Sequence, residues 1–123
     1  MRKLVIIPTY NEKENISAMI DKVFSLPEPF ELLVIDDGSP DGTAAIVKER
    51  QQEFPATLHL LERSGKQGLG TAYLTGFRWG LDNGFDYICE MDCDFSHNPD
   101  DLLRLYQAAA EGNDVVVGSR YVQ

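Results

Sequence analysis

Two aspartates two residues apart, Asp92 and Asp94, carry the most chemically loaded spacing in this sequence. Side chains alternate along an extended chain, so the pair shares one side and Cys93 takes the other. Two convergent carboxylates repel each other unless one titrates or a cation lies between them. With the Ser96 hydroxyl nearby and no Cys or His ligand set, such donors suit a hard divalent ion, Mg²⁺ or Mn²⁺ rather than Zn²⁺. His97 reads as a surface group or one lying outside the ligand set. A plainer reading of the same residues is a solvated acidic loop ahead of the helix that Pro99 begins. Three further polar clusters stand out: Pro8-Thr9-Tyr10-Asn11-Glu12, Asp36-Asp37-Gly38-Ser39 and Gly118-Ser119-Arg120. One member of the Asp36-Asp37 pair suits the Gly38-Ser39-Pro40 turn, and Asp41 suits a helix cap. Arg63 and Lys66 stand in a glycine-containing loop, either as solvated charges or as contacts to an anionic ligand.

Several familiar motifs fail on spacing. Asp37-x-Ser39-x-Asp41-Gly42 opens like a calcium loop, but Lys48 occupies the twelfth position, where a bidentate Glu is required. Gly65-Lys66 is no phosphate loop, because Leu60 stands five residues before Gly65 and no Ser or Thr follows Lys66. Gly68-x-Gly70-x-x-Tyr73 lacks the third glycine of a dinucleotide fingerprint. Ala72, Gly76 and Gly80 recur every four residues and read as a small-residue stripe for close helix-to-sheet packing. Two histidines assemble no Ser-His-Asp or Cys-His triad.

The elements that must position these clusters follow from apolar patterning. Continuous apolar runs at residues 4–7 and 32–35 read as strands buried on both faces, the first stopped by Pro8. Residues 58–61, 87–91 and 114–118 read as three more strands. Between them fall helical patterns at residues 12–24, from Asp41 with an inner face of Ala45, Ile46 and Arg50, at 69–81, and from Pro99 to 110. Regular alternation of this kind predicts an α/β fold, a mostly parallel Rossmann-like sheet with helices on both faces. Ligands of such sheets sit at the carboxyl ends of the strands, which is where all four polar clusters fall.

Composition narrows the function further. The chain has 123 residues, with 11 Lys plus Arg against 20 Asp plus Glu, a formal charge of −9. That balance argues against a broad nucleic-acid surface, which needs clustered cations. A hydrophobic share of 43% and a charged share of 25% are those of a globular domain rather than a disordered or coiled-coil chain. The apolar runs fall far short of the ~20 residues that span a bilayer, and Arg2-Lys3 precedes a stretch too short for a signal peptide. Cys89 and Cys93 do not form C-x-x-C and read as reduced, packed residues of a cytoplasmic protein.

Taken in order, Ile7-Pro8-Thr9-Tyr10-Asn11-Glu12 and Val34-Ile35-Asp36-Asp37-Gly38-Ser39-Pro40-Asp41-Gly42-Thr43 resemble the opening of family 2 glycosyltransferases. Gly68-Leu69-Gly70-Thr71-Ala72-Tyr73 with Gly76, Met91-Asp92-Cys93-Asp94-Phe95-Ser96-His97 and Gly118-Ser119-Arg120-Tyr121 look like the dolichyl- or polyprenyl-phosphate mannosyltransferase subfamily. Each block is weak alone; the ordered set, spread over the whole chain, is specific. The resemblance implies a GT-A fold that binds a nucleotide-sugar, GDP-mannose foremost, for inverting transfer to a polyprenyl phosphate at the cytoplasmic face of a membrane. By the same resemblance Pro8, Tyr10 and Glu12 line the nucleoside pocket, and Ile35 and Asp37 contact base or ribose. Asp92, Cys93 and Asp94 match the Asp-x-Asp motif at which a cation holds the donor diphosphate, with Asp94 the firmest ligand. Ser96 stands where the family often has a glutamine ligand, and Cys93 where Ala is common. Arg120 matches an arginine that engages phosphate near the reaction centre, so the catalytic set is Asp92, Asp94 and Arg120.

Catalytic domains of this family are roughly twice as long as this chain. Residues 1–123 are therefore expected to be the donor-binding portion of a GT-A domain, truncated before its acceptor side and poor at transfer by itself. Two other readings keep the fold: a UDP-sugar-dependent family 2 transferase with another sugar or acceptor, and a non-catalytic nucleotide-sugar-binding module. A phospho-accepting receiver domain shares the size, but it needs its acidic pair after the first strand and a lysine after the last. Neither is found here.

Overall fold

The computed structural model describes residues 2–27, 29–64 and 69–91. Seven elements alternate in it: β1 (Lys3–Thr9), α1 (Ile16–Phe24), β2 (Glu31–Asp36), α2 (Thr43–Arg50), β3 (Leu58–Glu62), α3 (Leu69–Asp82) and β4 (Tyr87–Glu90). The four strands pair in parallel in the order β3-β2-β1-β4. The chain moves outward through α1 and α2, then returns across the sheet through α3. Right-handed crossovers therefore place α3 on the face opposite α1 and α2. The expected α/β sheet with both faces covered is what the chain forms. The helix foreseen at residues 99–110 and the strand at 114–118 lie outside the described residues.

Burial on both faces explains the unbroken apolar runs. Val5 and Ile7 join Leu32 and Val34 against Ile16, Met19, Ile20 and Val23 of α1 and Val47 of α2. Leu4 and Ile6 point the other way and join Leu33 and Ile35 beneath Ala72 of α3. The small-residue stripe lets α3 lie close: a Cβ added at Gly76 would stand 2.7 Å from Ile6 Cγ2, and one at Gly80 2.7 Å from Ile88 Cδ1.

Three local expectations need correction. β1 does not stop at Pro8 but continues to Thr9, with Pro8 opposite Ile35 and Thr9 opposite Asp36. Proline is tolerated in this ladder because bonding sides alternate along β1: the Thr9 carbonyl accepts the Asp37 N–H of the β2 side, so the Pro8 backbone faces away from β2. Helix α1 starts at Ile16, not near residue 12, because residues 11–13 are tied to a neighbouring loop; the Glu12 carbonyl accepts from Asn15 and Ile16 N–H at 3.0 and 2.9 Å to begin the first turn. The inner face of α2 is Thr43 and Val47, one turn apart, while Ala45 is exposed and Ile46 and Arg50 are half-buried. Arg50 instead spans to α1, donating to the Ser17 carbonyl and hydroxyl and pairing with Asp21.

The amino-terminal edge of the sheet is closed by structural contacts. Arg2 pairs with Glu31 at 3.2 Å and lies 4.1 Å over the Phe85 ring, and His59 reaches the same Glu31 at 2.8 Å.

Gly76 and Gly70 give a paired test of the α3 packing. An alanine helix-propensity gain of about 1 kcal/mol applies at Gly76 in the helix interior and a smaller one at Gly70 in the first turn, but at Gly76 overpacking against buried Ile6 costs about 1–3 kcal/mol. Gly76→Ala should therefore lower the unfolding free energy by about 1 kcal/mol, whereas Gly70→Ala, with nothing within 4 Å of the new methyl, should raise it. Urea denaturation of the two variants checks the opposite signs.

Candidate functional site

The carboxyl edge of the sheet is built from two loops, one after β1 and one after β2. Because Thr9 stands opposite Asp36 in the ladder, their side chains meet: Thr9 Oγ1 donates to Asp36 Oδ1 at 2.7 Å. The Asp36 carboxylate also accepts from the Ser39 hydroxyl at 2.6 Å and the Ser39 N–H at 2.9 Å, closing the turn at Gly38, whose φ is +68°. Asp36 is thus the member of the acidic pair that holds the turn. Ser39 Oγ then accepts the Asn11 N–H at 2.8 Å, fixing a residue whose φ is +57°.

The second half of the β2 loop repeats the arrangement. Asp41 Oδ1 accepts from Thr43 N–H at 3.0 Å and Thr43 Oγ1 at 2.6 Å. Asp41 therefore caps α2 as expected, but from one residue ahead of the cap position, which Gly42 occupies at φ +93°. Thr43 Oγ1 accepts the Glu12 N–H at 3.0 Å, and Asp41 Oδ2 accepts the Lys13 N–H at 3.2 Å. Three successive amides of one loop are held by side chains of the other. The Thr43 hydroxyl, followed by the Lys13 and Thr43 amides and the Lys13 charge, keeps the Asp41 carboxyl below its usual 3.8 against a smaller opposing effect of burial.

Asp37 has a different partner. Arg63, the first residue past β3, grips it through two parallel bonds, Nε to Oδ1 at 2.6 Å and Nη2 to Oδ2 at 2.8 Å. Arg63 Nη1 also reaches Thr71 Oγ1 of α3 at 3.1 Å. Only 11% of the arginine side chain and 8% of the aspartate is exposed. Arg63 is thus neither a free solvated charge nor an uncommitted anion site. Sequence reading missed this pair because only the strand register reveals it: Asp36 stands opposite Glu62, so the next residues on each strand, Asp37 and Arg63, fall side by side.

The structure brings Pro8, Tyr10, Glu12 and Asp37 to one edge. Tyr10 is 37% exposed there, an unusual position for a large ring, and Glu12 is half-buried. Ile35 does not join them: its side chain is fully buried on the α3 face, with Cδ1 against Gly76, so only its backbone belongs to the edge. Asp92, Cys93, Asp94, Ser96, His97, Arg120 and Lys66 lie outside the described residues. Among the described residues no group of three or more His, Cys, Asp or Glu is arranged to hold a metal. The Met91 N–H donates to the Ile6 carbonyl at 3.0 Å, so β4 delivers the chain toward the edge where β1 and β2 end. The carboxylate and hydroxyl oxygens of Asp92, Asp94 and Ser96 suit Mg²⁺ or Mn²⁺ in donor type. Cys89 is buried and free, its Sγ 3.6 Å from the Leu4 carbonyl, and burial pushes its thiol pKa up. It is a packed thiol, as expected.

Comparison with known proteins agrees with the arrangement. The family model described as Glycosyl transferase family 2 matches residues 4–123. The chain is 49% identical over 121 residues to a polyprenol monophosphomannose synthase of Mycolicibacterium smegmatis, covering 98% of this chain and 46% of the relative. It is 47% identical over 122 residues to an undecaprenyl-phosphate mannosyltransferase of Micrococcus luteus, covering 99% and 49%. The chain thus spans about half the length of these curated relatives. A mannosyltransferase of Pyrobaculum calidifontis, solved in complex with GDP-Man and Mn²⁺, superposes with a TM-score of 0.60 at 33% identity over 63% of this chain and 24% of that one. Staphylococcus aureus TarS, solved with UDP-GlcNAc, gives 0.69 at 25% identity over 89% and 30%.

Two outcomes follow from the site's electrostatics. Arg63→Ala would remove the bidentate partner of a buried carboxylate and should cost about 3–5 kcal/mol of stability. Arg63→Lys, which keeps the charge but loses the fork, should lie between that and the parent; urea unfolding reads both. A depressed native pKa at Asp41 contributes stability fully above the unfolded value and loses it as pH falls through the native one. Asp41→Asn should therefore flatten the acid limb of the stability curve below about pH 4, seen by circular dichroism during acid titration.

Proposed function

The chain belongs to glycosyltransferase family 2, and from that membership we propose that it supplies the donor-binding part of a metal-dependent, inverting mannosyltransferase. The donor is GDP-mannose and the acceptor a polyprenyl phosphate presented at the cytoplasmic face of a membrane. One observation carries this reading: identity of 47–49% along 98–99% of the chain with relatives named for polyprenyl-phosphate mannose transfer.

Local chemistry supports the donor assignment. The Asp37 carboxylate and the Arg63 guanidinium, locked together at this edge, set an acceptor beside a donor, the complement of a ring N–H beside a ring carbonyl. Guanine and uracil both present a carbonyl beside an N–H, and adenine and cytosine do not present that pattern. Tyr10, exposed beside the same edge, gives a ring face to a nucleoside. A chain of charge −9 does not attract a diphosphate by its net field, so a cation held by Asp92 and Asp94, with Ser96, has to mediate. When bound, that ion neutralises the charge developing on the departing nucleoside diphosphate. A phosphate acceptor is ionised near neutral pH, so the chain needs no general base to activate it, and attack opposite the diphosphate inverts the anomeric centre. Arg120 serves the phosphate charge on one side of that exchange.

A UDP-sugar donor is the second reading, favoured by the resemblance to TarS with UDP-GlcNAc and by the base pattern that guanine shares with uracil. Among the described residues no helix is long and apolar enough to cross a membrane.

Thermal unfolding with GDP-mannose, UDP-glucose and UDP-N-acetylglucosamine, each with Mn²⁺, decides between the donors. GDP-mannose should give the largest rise in Tm, with ADP and CDP giving none. A larger rise with either UDP-sugar would move the assignment to the second reading. Isothermal calorimetry of GDP should show heat with Mn²⁺ and much less with chelator, and negligible heat in both would sink the donor site.

A further inference from the structure

We propose that Ser39 and Thr43 are positioning residues for the nucleotide donor, acting through the Asn11 and Glu12 amides to set the backbone that carries Tyr10 and Glu12. The inference rests on the donor-binding reading above and extends it to two residues that touch neither base nor metal in that reading.

Each hydroxyl does two jobs at once. Ser39 Oγ donates to Asp36 at 2.6 Å and accepts the Asn11 N–H at 2.8 Å. Thr43 Oγ1 donates to Asp41 at 2.6 Å and accepts the Glu12 N–H at 3.0 Å. The carboxylates take the hydroxyl protons, which orients the oxygen lone pairs toward the amides of the facing loop. Asn11 sits at φ +57°, a left-handed conformation that asparagine tolerates, and the Ser39 bond selects that turn over the extended alternatives open to the residue. Thr43 is fully buried, so water does not easily replace its bond to Glu12, whereas the Ser39 bond to Asn11 is exposed and holds through its geometry. With the hydroxyls gone, Asn11 and Glu12 lose their acceptors, the left-handed turn relaxes, and Tyr10 and Glu12 are no longer presented together before a ligand arrives. Binding must then order the loop as well as engage it.

The test pairs a hydroxyl-deleting change with a hydroxyl-keeping one at each position: Ser39→Ala against Ser39→Thr, and Thr43→Val against Thr43→Ser. GDP with Mn²⁺ is titrated by calorimetry into each folded variant, and amide hydrogen exchange is followed at Asn11 and Glu12 without ligand. The expected result is about tenfold weaker GDP binding in Ser39→Ala and Thr43→Val. Faster exchange at residues 11 and 12 should accompany it, with both effects largely reversed in the hydroxyl-keeping variants. A general loss of stability would instead speed exchange throughout the strands, whereas a positioning role raises it at residues 11 and 12 while β1 and β2 stay protected. Folded Ser39→Ala and Thr43→Val variants that bind GDP within twofold of the parent would overturn the positioning role while leaving the donor site standing. Parent amides at 11 and 12 that exchange as fast as open loop would also overturn it, whatever the nucleotide result. A parent that protects those amides yet binds neither GDP nor UDP would instead remove the donor reading, and this inference with it.

Discussion

Parallel pairing of β1 with β2 is the constraint on which the carboxyl edge depends. Its register sets Thr9 opposite Asp36, and from that one pair the rest of the edge is built outward. Asp36 is almost wholly buried, and a carboxylate in that position is tolerable only when its oxygens are occupied. Thr9 and Ser39 occupy them. A slip of one residue would turn every side chain of β1 to the opposite face, breaking both cores and this polar pair together. Apolar packing below the edge and hydrogen bonding at it therefore enforce the same alignment.

The polar groups of the edge are arranged so that each loop satisfies the other. Carboxylates of the β2 loop orient hydroxyls, and those hydroxyls and a carboxylate oxygen take three successive amides from the β1 loop. Such an arrangement fixes loop conformation without any contribution from the apolar core. It also gives the edge its rigidity where a sheet usually ends in mobile connections. Arg63 adds the third strand to the same unit, so β1, β2 and β3 present a single prepared surface. Preorganisation of this kind reduces the ordering that a ligand must drive on arrival.

Much of this was readable before any coordinates. Unbroken apolar runs at residues 4–7 and 32–35 announced strands covered on both faces, and the Ala72-Gly76-Gly80 stripe announced close contact with a sheet; both follow from local pattern alone. Errors arose where a residue's surroundings outweighed its own preference. Pro8 reads as a strand breaker, yet its backbone faces away from β2, so the β1–β2 ladder runs past it. The apolar pattern reads α1 as longer, yet the amides of residues 12 and 13 are claimed by a loop far away in sequence. Ile35 sits in a motif tied to nucleoside contact; strand alternation turns its side chain into the core and leaves its backbone at the edge. The Asp37–Arg63 pair spans 26 residues, and only the register of β2 with β3 reveals it.

Nuclear magnetic resonance of the isotopically labelled chain, titrated with GDP and Mg²⁺, tests the central claim most directly because it reads binding and location together. Amide shifts should change first and most at residues 9–12, 36–43 and 63, and at the residues following β4. Arg2, Glu31 and His59 at the opposite edge should stay in place. Shifts concentrated at that opposite edge, or none anywhere at saturating nucleotide, would contradict the account.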